Sequence, residues 1–229
     1  DTNNNALLGA GEVGVAGVRV ELYQDNGTTP GVWDAGDTFL SFDTTDAGGY
    51  YRFDTLAAGD YVVLLPDDNF RDVGAGDTVP ADPLAGYWSS STMIAANGVI
   101  TDATANDPDT TVVDSDDNGL TTLLTASSID YVASAAVTLG PGSTEPIGET
   151  DPALNPEPGE APDNRSDRTV DFGFYHVEIG NLVFEDNNAD GDYDAGTDGL
   201  IAGATVQLFA SQPARLAHTT SAASRKAIT

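Results

Sequence analysis

Oxygen-bearing side chains occupy alternate positions along residues 186–198 of this chain, which read DNNADGDYDAGTD. Hard cations such as calcium take six to eight oxygen ligands, and a tightly curled loop points alternate side chains inward. Gly191 stands sixth, where a calcium loop of the EF-hand type makes its sharp turn, and Thr197 stands twelfth, where such a loop normally has Glu. The spacing predicts a calcium site formed by Asp186, Asn188, Asp190, Asp192, Asp194 and Asp198.

The segments on either side of this loop have the pattern of β-strands. Residues 179–184 and 204–209 alternate apolar with polar positions and lack helical periodicity. The loop is therefore expected to join strands on a β scaffold. A competing interpretation is an ordinary turn, because Asp, Asn and Gly tolerate turn geometry for purely local reasons.

A second copy of the pattern opens the chain, in residues 1–12. Its oxygen-bearing residues stand at positions one, three, five and twelve, although Ala6 replaces the glycine of the sixth position. Residues 15–23 then parallel residues 201–209, which makes the pair an internal repeat. The predicted ligands of this first copy are Asp1, Asn3, Asn5 and Glu12.

Two further acidic stretches extend the prediction of cation binding. In the first, WDAGD echoes the YDAG of the opening pattern, and its candidate ligands are Asp25, Asp34 and Asp37. The second runs through a D-x-D-D-N-G sequence, and its candidate ligands are Asp109, Asp114, Asp116 and Asn118. Recurrence of the pattern favours metal binding over a chance turn.

Charge restricts the classes of partner. The 229 residues include 37 acidic and 8 basic side chains, for a net charge of −29. Such a chain repels nucleic acid and anionic membranes, and its sequence contains no segment suited to membrane insertion. The charge fits a protein that recruits cations, or one adapted to high salt. With no cysteine, no disulfide staples the fold.

Short apolar stretches separated by Gly/Asp turns predict an all-β protein. Strands are expected at residues 39–42, 50–53, 61–65 and 168–175, with weaker candidates at 93–101 and 129–139. The repeat divides the chain into a sandwich domain at 1–176, an incomplete second copy at 177–210 and a tail at 211–229. Residues 66–168 are expected to form a long irregular insertion in the first domain.

Several of these motifs carry a family resemblance. The stretches DTNNNALLGAGE, GVAGVRVELY, TTDAGGYYRFDTLAAGDYVV and TVDFGFY resemble the B repeats of serine-aspartate-repeat surface adhesins, relatives of the collagen-adhesin B-type, transthyretin-like fold. The resemblance implies a seven-stranded Greek-key sandwich, secreted to the cell surface, stabilised by calcium and used as a stalk or spacer. Many B-type relatives carry an internal lysine isopeptide bond, but no lysine precedes Lys226. Without that bond and without disulfides, bound calcium is the remaining means of cross-linking the fold that the resemblance implies.

The sequence thus favours a non-enzymatic extracellular structural protein, whose partners are tandem repeats or neighbouring copies of itself. In the second copy a strand precedes the calcium loop, whereas the first copy starts on the loop. One interpretation of this difference is that the C-terminal segment of one molecule donates a strand to the next, which would build a head-to-tail filament. The competing interpretation is that the missing strand lies upstream of residue 1 in a longer parent protein. The alternative is a carbohydrate-binding module that presents Tyr87 and Trp88 to a polysaccharide. Salt adaptation without a specific metal is a third interpretation.

Overall fold

The chain folds into two compact units, residues 1–177 and residues 178–229. The computed structural model describes residues 1–2, 4–71, 73–74, 77–79, 81–90, 93–94, 100–102, 108–109, 116–125, 128–140, 167–177, 179–208 and 226–227. Each unit is taken by itself below.

Strands dominate the described part of the first unit, which has one short 3-10 helix at Asp67–Asn69. In chain order the strands are β1 (Arg19–Gln24), β2 (Thr38–Thr44), β3 (Gly59–Pro66), β4 (Tyr87–Ser89), β5 (Met93–Ile94), β6 (Ile100–Thr101), β7 (Leu120–Thr125), β8 (Ser128–Ala133), β9 (Val137–Leu139) and β10 (Phe174–His176). The prediction of an all-β fold is confirmed. The count of seven strands in Greek-key order stays a prediction.

Six of the described strands form one antiparallel sheet. Its order is β2-β1-β3-β8-β7, and β9 also pairs with β3. Two smaller antiparallel pairs, β10 with β4 and β5 with β6, accompany the sheet. The strands β7, β8 and β9 come from the segment expected to be an irregular insertion, so that segment contributes directly to the main sheet.

Alternation of side chains explains how β1 and β3 build the core. Val20 and Leu22 of β1 point into the main apolar cluster, together with Val63 and Leu65 of the central strand β3. The intervening Leu64 points to the opposite face, where it joins a second apolar cluster. A strand that is buried on both faces reads as a continuous apolar run, as residues 61–65 do.

Different elements cover the two faces of the sheet. Leu84 and Phe174, from the β4–β10 side of the unit, pack on the main cluster. Trp33 covers the second cluster, where it makes edge-to-face contacts with Tyr23 and Tyr131. Trp33 lies in the loop between β1 and β2, so this loop is packed against the sheet.

The strand expected at residues 50–53 is absent from the described structure. This segment lies outside every described strand pair, although Tyr51 and Phe53 both pack against the main cluster. The Tyr51 hydroxyl donates a hydrogen bond to the Val170 carbonyl at 2.7 Å. The alternation of apolar residues in this segment therefore indicates which side chains are buried, but it does not indicate a hydrogen-bonded strand.

The second unit has two short antiparallel pairs in its described residues. They are β11 (Phe184–Glu185) with β12 (Gly199–Leu200), and β13 (Gln207–Leu208) with β14 (Lys226–Ala227). Most described side chains of this unit are exposed, including the apolar Ile179, Leu200 and Val206.

Candidate metal centres

Residues 1–12, called loop A below, curl around the carboxylate of Asp1. That carboxylate accepts hydrogen bonds from the backbone N–H groups of Asn5 at 3.2 Å and Ala6 at 2.9 Å. The Asn5 side chain accepts one from the N–H of Leu7 at 3.1 Å. Asn4 and Ala6 have φ angles of 54° and 61°, in the left-handed region that side chains disfavour.

Residues 186–198, called loop B below, repeat this backbone conformation. The Asp186 carboxylate accepts hydrogen bonds from the N–H groups of Ala189 at 2.5 Å and Gly191 at 2.9 Å. These two residues occupy the fourth and sixth positions, and their φ angles are 59° and 89°. The fourth and sixth positions are therefore left-handed in both loops, and loop A adopts the turn without glycine at the sixth.

The closing carboxylate has the same hydrogen-bond partners in both loops, although its sequence position differs. Glu12 accepts hydrogen bonds from the N–H groups of the second and ninth residues, Thr2 and Gly9. Asp198 likewise accepts them from the second and ninth residues of loop B, Asn187 at 3.0 Å and Asp194 at 2.8 Å.

One extra residue explains how an aspartate replaces a glutamate here. The N–H groups of Thr197 and Asp198 both bond to the Asp194 carbonyl, at 3.1 and 2.9 Å, so the chain makes an additional tight turn. This turn brings the shorter side chain to the place that Glu12 reaches with one more methylene.

Three predicted ligands of loop B lie together. The Asn188 side-chain amide donates hydrogen bonds to Asp190 at 2.9 Å and to Asp194 at 3.2 Å. Asp190 also accepts the backbone N–H of Asp192 at 2.9 Å. All of these side chains are exposed, so water and a cation can reach their oxygens.

Loop C, residues 25–37, is organised by two acids that accept backbone hydrogen bonds. Asp34 accepts the N–H groups of Thr28, Thr29 and Gly36, at 2.7–2.8 Å. These bonds favour the charged form, and the pKa of Asp34 is lowered to about 2, chiefly by the Gly36 N–H. The third predicted ligand, Asp25, accepts the N–H of Gly31 at 2.6 Å.

Asp37 closes loop C as Asp198 closes loop B. It accepts the N–H of Asn26, the second residue of the loop, at 3.1 Å, and that of Asp34 at 2.8 Å. The sequence similarity between WDAGD and YDAGTD is thus matched by a structural similarity, since Asp34 and Asp37 correspond to Asp194 and Asp198.

The fourth predicted loop is divided between two places. Asp116 and Asn118 are buried beside loop A, where Leu7 forms a β-bridge with Asp116. Asn118 accepts the N–H of Asp171 at 2.7 Å. Asp109 instead accepts the N–H of Thr138 in β9 at 2.7 Å. Two predicted ligands, Asn3 and Asp114, lie outside the described residues.

Two residues that the ligand pattern did not single out also contact loop A. The Ser90 hydroxyl donates to the Asp1 carboxylate at 2.7 Å, and the Asp117 N–H donates to the Ala6 carbonyl at 3.1 Å. Burial raises the pKa of Asp117 to about 7, although N–H groups of Gly173 and Gly119 oppose this shift. Asp117 directly follows Asp116, but the predicted ligands of this stretch occupy alternate positions, so the pattern does not include Asp117.

The donor set of loops A, B and C suits a hard cation. Carboxylate and amide oxygens are the ligands of calcium, and the hydrogen bonds lower the pKa of Glu12 as well, to about 2, chiefly through the Gly9 N–H. Within the described residues, however, no three His, Cys, Asp or Glu side chains converge into a metal-holding group. Carbonyl, amide and water oxygens would have to complete the shell, and some carboxylates would have to exchange N–H groups for the ion.

The aromatic pair considered for sugar binding is partly enclosed. Tyr87 and Trp88 are half-buried in β4, and the Tyr87 ring lies 3.5 Å from that of His176, centroid to centroid. The ring of Tyr87 is thereby engaged within the protein.

Comparison with known proteins identifies relatives for most of the chain. Residues 1–78 match the family model of the SdrD B-like domain. Colossin-B of Dictyostelium discoideum is 36% identical over 71 residues, 30% of this chain and 2% of that protein. The fibrinogen-binding protein of Staphylococcus epidermidis is 38% identical over 63 residues, 28% of this chain and 5% of that protein. Serine-aspartate repeat-containing protein D of Staphylococcus aureus (strain Newman) is 26% identical over 211 residues, 91% of this chain and 10% of that protein.

These relatives confirm the resemblance predicted from the sequence and the expected location at the cell surface. The chain spans a tenth or less of the length of each of these relatives. No solved structure matches the chain. In the described residues, no helix has the length and apolar character required to cross a membrane.

Proposed function

We propose that this chain, whose residues 1–78 match the family model of the SdrD B-like domain, is a non-enzymatic structural segment of a microbial surface protein. Its role is that of a stalk or fibre subunit whose acidic loops are rigidified by calcium. The supporting observation is the shared geometry of loops A and B, which place carboxylates at equivalent positions and hold them with equivalent N–H groups.

Calcium is the cation that this donor set fits. The side chains that would hold it are Asp1, Asn5 and Glu12 in loop A, Asp186, Asn188, Asp190, Asp194 and Asp198 in loop B, and Asp25, Asp34 and Asp37 in loop C. A bound ion would neutralise these carboxylates and add its binding free energy to that of folding. Removal of the ion would leave the acids of each loop to repel one another.

The positions of the loops explain how stiffening them would stiffen the first unit. Loop A joins distant parts of the chain, since the backbone nitrogen of Asp1 donates a hydrogen bond to the Phe174 carbonyl at 2.9 Å and Leu7 pairs with Asp116. Loop C carries Trp33, which packs against Tyr23 and Tyr131 on the main sheet. Closed loops would therefore fix the edges of the sandwich, which a load-bearing spacer requires.

Thermal unfolding in three solutions tests this proposal on the whole chain: saturating calcium, excess chelator, and chelator with molar potassium chloride. We expect the chelator to lower the melting temperature by roughly 10 °C, because a ligand at about 1,000 times its Kd contributes about 4 kcal/mol. Calcium alone should restore the loss. Coincident curves, or rescue by salt alone, would show that the loops are ordinary acidic turns.

A local measurement assigns the effect to loop C. In a Trp88→Phe variant, Trp33 is the remaining tryptophan, so the tryptophan fluorescence reports on the environment of its ring. Trp33 directly precedes the candidate ligand Asp34 in the sequence. Calcium should shift this signal, and Asp34→Asn should weaken the response by removing a charged ligand. The matched control is Asp54→Asn, since Asp54 is an exposed acid of the same unit whose partner is Arg52. An equal loss of response in both variants would contradict a site in loop C.

A further inference from the structure

The strand β2 forms one edge of the main sheet, and among the described residues no strand pairs with its outer side. All of its residues except Asp43 are exposed, although three of them are large and apolar. Phe39 is 46% exposed, Leu40 is 42% exposed and Phe42 is 54% exposed. An exposed apolar edge strand is a template for pairing with another chain.

Hydrogen bonds at the end of β2 show which of its backbone groups face outward. The N–H of Thr45 donates to the Val18 carbonyl at 2.9 Å, on the side of β1. Because successive residues of an antiparallel strand direct their backbone groups to opposite sides, the N–H and C=O groups of Phe42 and Thr44 point away from β1. The Thr44 N–H bonds to the neighbouring Asp43 side chain at 2.8 Å, and an added strand would replace this local bond.

The opposite edge of the sheet, at β7, is better protected. β7 pairs with β8 through two register shifts, and the Thr121 N–H donates to the Asp102 carboxylate at 2.9 Å. Irregular pairing and occupied backbone groups both hinder strand addition. β2 has a single register shift, and its sequence TFLSFDT lacks the lysine and proline that commonly protect an edge. Strand addition is therefore expected at β2.

A small pocket lies beside β2. Its volume is about 190 Å³, and its lining includes Arg19, Phe42, Thr44, Thr78 and Val79. The Arg19 guanidinium lies 3.8 Å from the centroid of the Phe42 ring, so these two side chains form one continuous wall. Strand addition draws affinity from main-chain hydrogen bonds and specificity from pockets for alternate side chains. The pocket can receive one side chain of an added strand.

Charge determines the kind of segment that this edge attracts. Three acids precede, interrupt or follow the strand: Asp37, Asp43 and Asp46. The basic residues beside the strand are already paired. Arg19 bonds to Glu21 at 2.7 Å, and Arg52 bonds to Asp54 at 3.4 Å. A second copy of this chain would bring a net charge of −29 and be repelled, whereas lysine or arginine side chains would be attracted.

We propose that the outer edge of β2 binds an extended segment of another protein, with apolar side chains at alternate positions and basic residues at both ends. The segment would pair with the outward backbone groups of Phe42 and Thr44. Its apolar side chains would cover the exposed rings of Phe39 and Phe42, and its basic residues would lie near the acids at the two ends of the strand. This recognition surface is additional to the calcium loops and to the spacer role.

Calorimetric titration of the whole chain in calcium tests the inference. The probe is a synthetic peptide of alternating valine and threonine, with two lysines at each end. We expect saturable binding, and replacing the lysines by glutamates should raise the Kd at least about tenfold. Phe42→Thr should also raise it at least about tenfold, by removing the exposed ring. The matched control is Leu124→Thr, because Leu124 is an equally exposed apolar residue at the other edge, 53% exposed; its Kd should stay within about twofold.

A second measurement separates backbone pairing from attraction between charges. A peptide with proline in place of each threonine keeps the charge but loses N–H donors, so it should bind at least about tenfold more weakly. The first peptide should slow hydrogen exchange of the Phe42 and Thr44 amides. Equal binding of the proline peptide, unchanged exchange at these amides, or equal losses in Phe42→Thr and Leu124→Thr would overturn the inference.

Self-association provides the remaining check on the occupant. Sedimentation velocity of the chain without peptide should show no dimer that depends on β2. A dimer that Phe42→Thr dissociates would overturn the inference, because the partner at this edge would then be a second copy. The calcium-dependent melting temperature is unaffected by any of these outcomes, so this inference and the proposed calcium-stiffened role can fail separately.

Discussion

The two copies of one sequence motif, residues 15–23 and residues 201–209, have the same turn and opposite burial. Gly17 and Gly203 make the turn with φ angles of 82° and 74°. Three residues later, Val20 is 1% exposed in the first unit, whereas its counterpart Val206 is 65% exposed in the second. Turn geometry is thus set by the local sequence, while burial depends on covering layers supplied by residues far along the chain.

The loops repeat this contrast. Loops A and B have equivalent left-handed positions and equivalent closing hydrogen bonds, yet loop A rests against the buried Asp116 and Asp117, whereas residues 187–197 of loop B are all exposed. Local chemistry builds the loop in both units. Among the residues that the structure describes, only the first unit adds a buried polar support to its loop, and the predictions below use that difference.

The largest expected effect is a pH dependence confined to the first unit. The pKa of Asp117 is raised to about 7 by burial, from the usual value near 4. The folded state therefore binds the Asp117 proton more tightly than the unfolded state does. The contribution of this proton to the free energy of unfolding is complete below pH 4 and is lost as the pH rises through 7. Over that range it amounts to a few kcal/mol.

Urea unfolding in excess chelator, at pH 5 and at pH 8, measures this effect. In the unchanged chain the free energy of unfolding should fall between pH 5 and pH 8. Asp117→Asn should reduce this slope, because an amide oxygen can still accept hydrogen bonds from the N–H groups of Gly119 and Gly173 but carries no charge. Exposed Asp54→Asn serves as the control and should leave the slope intact. If the pH dependence of the unfolding free energy is unchanged in Asp117→Asn, it arises from general charge repulsion and not from Asp117.

The next effect compares the two valines directly. Val20→Ala removes buried methyl groups and should lower the free energy of unfolding by about 2 kcal/mol. Val206→Ala should change it by less than about 0.5 kcal/mol, because its side chain is already exposed. Urea titration of the two variants at constant m-value gives both numbers. Equal losses would mean that Val206 is covered in solution.

A smaller and opposite pair of effects is expected at the sixth loop position. Ala6→Gly should stabilise loop A by about 1 kcal/mol, because alanine there has a φ of 61°. Gly191→Ala should destabilise loop B by a similar amount, since φ is 89° at that residue. Hydrogen exchange of the loop amides reports each change locally. Changes of the same sign would break the equivalence of the loops.

These residues show which features could be predicted from the sequence. The loop pattern and the all-β class follow from sequence patterns within about a dozen residues, and the loop pattern is visible in both copies of the repeat. The weaker strand candidate at residues 129–139 matches β8 and β9, and the candidate at 93–101 contains β5 and β6. The sequence does not predict β7, because residues 120–125 lack clean alternation, and residues 50–53 alternate without pairing as a strand. Burial of Asp116 and Asn118 escaped prediction because a polar stretch resembles a solvated turn when its partner, Asp171, lies more than fifty residues away.

The smallest expected effect concerns the closing acid, where loop B differs from loop A by one residue. Deleting Thr197 alone should weaken calcium binding, because the shorter Asp198 side chain then stands at the twelfth position and falls short of the N–H groups of Asn187 and Asp194. Combining the deletion with Asp198→Glu should restore the affinity to within about threefold, since it recreates the arrangement of Glu12. Calorimetric titration of the two variants decides the matter. Failure of the double change to rescue binding would mean that the extra turn at Thr197 has a role of its own in holding the ion.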